Sequence, residues 1–221
     1  MTPISVGILA GGQSMRMGLD KALLPIGGQP VIRRVLERVS ILSDDVILIT
    51  NLPSRHRLCL DCLPTCRLAD DIHPGKGPLG GIHSALSAAR HDHCLIVACD
   101  LPFLNADLLR HLISLAPGCD AVVPRIADRL ETLHAVYSTA CLQPIEQRLL
   151  HGELRVRGFF DEVHVCLVDR DEVARFDPLF RSFLNMNTPA DWDRLQRLAD
   201  QEAHSQPCSG SPLFPPRGQG G

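Results

Sequence analysis

Residues 4–21 read ISVGILAGGQSMRMGLDK, and this stretch decides the fold. Ile4–Leu9 is apolar without an alternating polar face, the pattern of a strand buried on both sides. Gly11-Gly12 ends it at once. Similar buried strands are expected at Asp45–Thr50 (DVILIT) and His93–Cys99 (HCLIVAC), with shorter candidates at Cys66–Leu68, Ala121–Pro124, His134–Tyr137 and Val163–Asp169. Helical segments are expected between them, at Val31–Ser40, Leu79–Ala89, Ala106–Leu115, Cys141–Leu150 and Pro189–Ala199. Strands alternating with helices imply parallel pairing through right-handed crossovers. The expected fold is a three-layer α/β/α arrangement around a Rossmann-like, mostly parallel, doubly wound sheet. Ligands in such folds sit at the carboxyl ends of the strands.

The 221 residues suffice for one domain with a full core. That domain is expected over 1–202. From 203 to 221 the composition turns to Ser, Pro, Gly and Gln, which reads as a disordered tail. A net charge of −3 gives no broad basic field for nucleic acid or an anionic membrane. No apolar run reaches the roughly 18–20 residues of a membrane span. The first apolar run is too short for a signal peptide, so the expected location is cytoplasmic. Nine cysteines, an odd number in a chain of this size, suggest reduced, buried thiols rather than a disulfide scaffold. Cys59, Cys62 and Cys66 have a spacing that suits a metal, against the competing reading of a loop and a strand.

Three segments carry chemistry. In the first, Gly11-Gly12 lets the backbone turn and a ligand approach, and successive N–H groups there can nest an anion. Arg16 and Lys21 add positive charge, so the loop suits a triphosphate, although neither the Walker pattern nor G-x-G-x-x-G is present. In the second, Asp100 stands where a buried strand leaves the sheet. A carboxylate there can hold Mg2+ against substrate phosphates, or cap a turn. The third is DDIHPGKGPLGGI (Asp70–Ile82), a small-residue loop running through Gly77, Pro78 and Leu79 into a helix. Its exposed backbone could read a base edge.

Together with ETLHAVY (Glu131–Tyr137) and FLNMNTPADW (Phe183–Trp192), these segments resemble the molybdenum cofactor guanylyltransferases over about residues 4–197. The resemblance implies a nucleotide-diphospho-sugar transferase-like architecture and transfer of GMP from GTP to the terminal phosphate of molybdenum-bearing molybdopterin, with Mg2+ as cofactor and pyrophosphate released. It places Leu9, Ala10, Gly11 and Gly12 at the nucleotide, Lys21 and Arg16 at its phosphates, and Asp100 at the metal. Asp71 would contact the nucleotide, with Asp70 as its rival. Asn51 fills one of two family asparagine places, and Ile49 stands at the other. Asn185 and Asn187 would face the pterin. His134 reads either as an acceptor ligand or as a satisfied structural histidine. Arg155 and Arg157 read either as holding the acceptor phosphate or as a solvated face. The partners implied are GTP, molybdenum-molybdopterin, and the proteins of molybdopterin synthesis or molybdoenzyme maturation. Rival readings are a cytidylyltransferase, which Gly11 in place of a family alanine disfavours, and a nucleotide-binding module without turnover.

Overall fold

In the computed structural model, residues 2–10, 21–52 and 66–205 are described. Gly11, Gly12, Arg16, Cys59, Cys62 and residues 206–221 of the expected tail lie outside them. The main sheet has strands β1 (Ser5–Leu9), β4 (Asp45–Ile49), β5 (Cys66–Ala69), β6 (His93–Ala98), β7 (Ala121–Ile126), β9 (His134–Ser138) and β10 (Val165–Asp169), in the order β10-β7-β9-β6-β1-β4-β5. β1 pairs parallel with both β4 and β6. β9 runs antiparallel to β6 and β7. A two-residue strand β8 (Arg129–Leu130) folds back on β7.

Among the described residues the helices that flank the sheet are α1 (Val31–Val39), α2 (Gly77–Ala88), α3 (Ala106–Leu115), α4 (Leu142–Leu150), α5 (Arg170–Ala174) and α6 (Pro189–Ser205). One core joins Val35, Leu108, Val173 and Leu195 of α1, α3, α5 and α6 to one face of the sheet. The second joins Ile82 and Ile145 of α2 and α4 to the other face. The expected three layers are present, with strand ends within a residue or two of expectation. A small hairpin of β2 (Pro25–Ile26) and β3 (Gln29–Pro30) was not expected. Its turn is Gly27-Gly28, with φ of 59° and 77° that a side chain would strain. The last helix also runs past Ala199 to Ser205, held where Arg34 Nη2 meets Glu202 Oε2 at 2.7 Å.

The thiol expectation needs correction, because Cys119 and Cys166 form a disulfide with a Cα–Cα distance of 5.9 Å. They are 47 residues apart in sequence, and the parallel β7–β10 pair brings them together. Cys66, Cys94, Cys99 and Cys141 are outside that bond.

At the amino end of β4, Asp45 is 1% exposed. Its carboxylate accepts from Ser5 Oγ at 2.6 Å, from Arg67 Nε at 2.8 Å and Nη2 at 3.3 Å, and from the Arg90 N–H at 3.0 Å. Burial acts to raise its pKa, but Arg67, Ser5 and the Arg90 N–H hold it below the ordinary value. Removing one partner of a buried, hydrogen-bonded charge pair costs about 3–5 kcal/mol. Asp45→Ala is expected to lower unfolding stability by that amount in urea titration, and a loss within error would mean that the cluster is hydrated.

Candidate functional site

The chain order reverses between β1 and β6, and the carboxyl end of the sheet at that point is where ligands of such folds bind. The Ala10 N–H donates to the Ile49 carbonyl at 3.0 Å and the Cys99 N–H to the Leu9 carbonyl at 3.2 Å, which keeps the sheet closed to its rim. Leu9 and Ile49 are buried, so Ile49 packs in the core. Helix α2 comes close because it lacks side chains where it touches. A Cβ on Gly81 would stand 3.1 Å from Leu9 Cδ1, and one on Gly80 would stand 2.9 Å from the His73 carbonyl oxygen. Gly75 and Gly77 take φ of +79° and +65°, which turns the loop into the amino end of α2. Gly77 and Pro78 are exposed there, whereas Leu79 is buried and can offer a ligand only its backbone.

Asn51 and the aspartates after β5 form one polar strip. Asn51 Oδ1 accepts the Asp71 N–H at 3.0 Å. Asp71 Oδ1 accepts the His73 N–H at 3.0 Å and pairs with Ser84 Oγ at 2.9 Å. Asp71 is thus tied into its loop, while Asp70 is exposed and the freer carboxylate. Beside them His73 Nε2 meets His83 Nδ1 at 3.1 Å. Burial, with His73 adding to it, lowers the His83 pKa. Ser84 and His83 were not singled out in the sequence, although both lie just beyond the glycine-rich loop.

Asp100 follows β6 and is half-buried. Burial pushes its carboxyl above the ordinary range, against the opposing pull of the Lys21 ammonium and a backbone N–H. Lys21 Nζ also donates to Asn187 Oδ1 at 3.1 Å. Residues 166 apart in sequence therefore meet beside the carboxylate. Asn187 is held by a reciprocal cap on α6. The Asn187 and Thr188 N–H groups donate to Asp191 Oδ2 at 3.1 and 2.8 Å, and the Asp191 N–H returns to Thr188 Oγ1 at 3.1 Å. Trp192 Nε1 fastens the helix to the Pro25 carbonyl at 3.0 Å, in the hairpin that follows Lys21. Asn185 is half-buried in the same segment.

His134 opposes Val97 across the β6–β9 pair, at the same end of the sheet. It is 1% exposed, and neither ring nitrogen has a hydrogen-bond partner among the described residues. Its ring centroid lies 4.8 Å from that of Phe183. Burial lowers its pKa to about 4, with Asp177 opposing, so the ring is neutral at pH 7. Phe183 and Asp177 were not foreseen around it. Arg155 and Arg157 are exposed on the segment after α4. The structure does not bring them into contact with the residues above.

An unfolded histidine titrates near 6.5, well above the folded value of His134. The unfolded chain therefore binds more protons between those two pH values. The stability supplied by the neutral ring is complete above pH 6.5 and is lost as pH falls toward about 4. His134→Leu is expected to flatten the fall of the urea midpoint in that window. An unchanged slope would show that the ring titrates as an exposed one does.

A family model described as the MobA-like NTP transferase domain matches residues 6–173. A probable molybdenum cofactor guanylyltransferase of Pelotomaculum thermopropionicum is 37% identical over 87% of this chain and 92% of its own length. The molybdenum cofactor guanylyltransferase of Desulfosudis oleivorans is 34% identical over 86% and 92%. Among solved structures, the molybdopterin-guanine dinucleotide biosynthesis protein A of Archaeoglobus fulgidus superposes with a TM-score of 0.77 at 27% identity, covering 89% of this chain and 99% of that one. The cleft and these likenesses agree: the chain belongs to the MobA-like NTP transferases, the family of the molybdenum cofactor guanylyltransferases, and is a nucleotidyltransferase.

Proposed function

We propose that the cleft transfers GMP from GTP to the terminal phosphate of molybdenum-bearing molybdopterin and releases pyrophosphate. The observation that carries this reading is the contact of Lys21 with Asn187 beside Asp100. It joins the residue expected at the triphosphate to the segment expected at the pterin. Asp100 suits a divalent cation because its carboxylate is desolvated and only partly answered by Lys21. Mg2+ is the cation proposed, since it favours oxygen ligands and shares them with phosphates, and it would offset charge at the α-phosphorus and on departing pyrophosphate.

The acceptor phosphate is already ionised and needs no strong base. Catalysis then rests on positioning and on charge stabilisation. Lys21 holds the triphosphate, and Leu9, Ala10 and the amino end of α2 form the wall for the nucleoside, with Asn51 and Asp70 or Asp71 beside it. Asn185, Asn187 and the neutral ring of His134 receive the pterin side. The proteins that make molybdopterin and those that mature molybdoenzymes are the proposed partners, and the cytoplasm is the proposed location.

Asp100→Asn is expected to lower turnover by about 10²–10³-fold. Its melting temperature should be no lower than the parent's, because a desolvated charge has been removed. The measurement is pyrophosphate release with molybdopterin and Mg2+ and with GTP, CTP or ATP in turn. GTP is expected to support turnover. Near-native turnover by the variant would remove the metal role of Asp100, and a preference for CTP would move the chain to cytidylyl transfer.

A further inference from the structure

We propose that Cys119, His164 and Cys166 form a zinc site that opens when the disulfide is reduced. Nothing in the transfer reaction uses these residues. They lie at the amino ends of β7 and β10, whereas Asp100 follows the carboxyl end of β6. The two sulfurs and a ring nitrogen of His164 all lie within 4.8 Å of one another. A tetrahedral zinc ion with Zn–S of about 2.3 Å and Zn–N of about 2.0–2.1 Å needs donors roughly 3.3–3.8 Å apart. Breaking the sulfur–sulfur bond frees both thiols to rotate about Cα–Cβ toward that spacing, from a Cα–Cα distance of 5.9 Å.

The backbone around the cluster is already set. The Asp120 and Ala121 N–H groups donate to the His164 carbonyl at 2.8 and 3.1 Å. The His164 N–H returns to Asp120 Oδ2 at 2.9 Å. Ser138 closes the other side, its N–H donating to the Asp120 carbonyl at 2.7 Å. Cys119 and Cys166 are therefore held by neighbours bonded to each other, on strands in fixed register, with Cys166 opposite Val122. The His164 ring is exposed and has no hydrogen bond to another described residue, which leaves its nitrogens available. Both cysteines are half-buried, within reach of a small reductant and of solvent metal.

The donor set decides the metal. Two thiolates and an imidazole suit zinc, with water in the fourth position, and do not suit Mg2+. The opening step balances with a dithiol as reductant. One of its thiolates attacks a sulfur of the Cys119–Cys166 bond and releases the other cysteine as thiolate, and its second thiolate then attacks the mixed disulfide and releases the first cysteine. The dithiol leaves as a cyclic disulfide, and two cysteine thiols remain. Zinc then displaces their protons on binding.

The test is a Zn2+ titration of the full chain against a chromophoric chelator, with Mg2+ in excess to occupy carboxylates. Dithiothreitol-reduced, desalted protein is compared with the disulfide form. The reduced form is expected to hold about one more zinc ion than the oxidised form. Cys119→Ser should abolish that difference. His164→Ala, which keeps the disulfide and leaves an exposed position, should weaken the site by about tenfold or more. The double variant Cys59→Ser/Cys62→Ser should retain it. Equal zinc in both redox forms, or a difference that follows Cys59 and Cys62, would overturn the proposal. Full-strength binding by His164→Ala would overturn the three-ligand assignment.

Discussion

A carboxylate removed from water must be answered by charge and hydrogen bonds, and the fold is arranged around one such group. The donors to Asp45 come from β1, from β5 and from the turn into β6, through Ser5, Arg67 and the Arg90 N–H. This sets the amino ends of neighbouring strands side by side, with Ser5 opposite Asp45 on one flank and Cys94 on the other. Strands rise about 3.3 Å per residue, so a common start gives a common finish. Leu9, Ile49 and Ala98 end level with one another. The residues that follow them, Ala10, Asn51 and Asp100, therefore emerge along one rim.

That rim has two desolvated groups with opposite consequences. At Asp100 burial raises the carboxyl above its ordinary range, with the Lys21 ammonium opposing. At His134 burial outweighs the pull of Asp177, and the ring stays uncharged, its nitrogens without a hydrogen-bond partner among the described residues. One group suits a dication and phosphates, the other a neutral polar surface. The difference matches the proposed reaction, which would place a triphosphate on one side and a pterin on the other.

The buried strands were legible because a run such as DVILIT has no polar face, and Gly or Asp marks where it stops. The rim followed from strand ends, since ligands of parallel sheets gather there. Contacts across the fold were not legible. Lys21 and Asn187 meet only because α6 is fastened to the hairpin after Lys21, which no local pattern encodes. The Cys119–Cys166 bond depends on β10 lying beside β7, a matter of strand order that hydrophobic periodicity does not determine. The two-residue strands β2, β3 and β8 are too short for any period. That the His134 ring has no partner among the described residues is a three-dimensional property, because a histidine in a strand reads the same with or without partners.

The reversed direction of β9 has a consequence for how such an enzyme can be remodelled. Its neighbours β6 and β7, which run opposite to it, reach that end of the sheet with their last residues, so their outgoing loops border the proposed ligand site. β9 reaches the cleft with its first residue, His134, and departs at the far edge, where the Thr139 N–H meets the Asp92 carbonyl. Chain length added just before β9 therefore builds directly onto the proposed acceptor wall, whereas length added just after it is separated from that end by the whole height of the sheet. The short segment between β8 and β9 is thus the natural graft point for altering what the cleft accepts, and it can be lengthened without changing the register of any parallel strand.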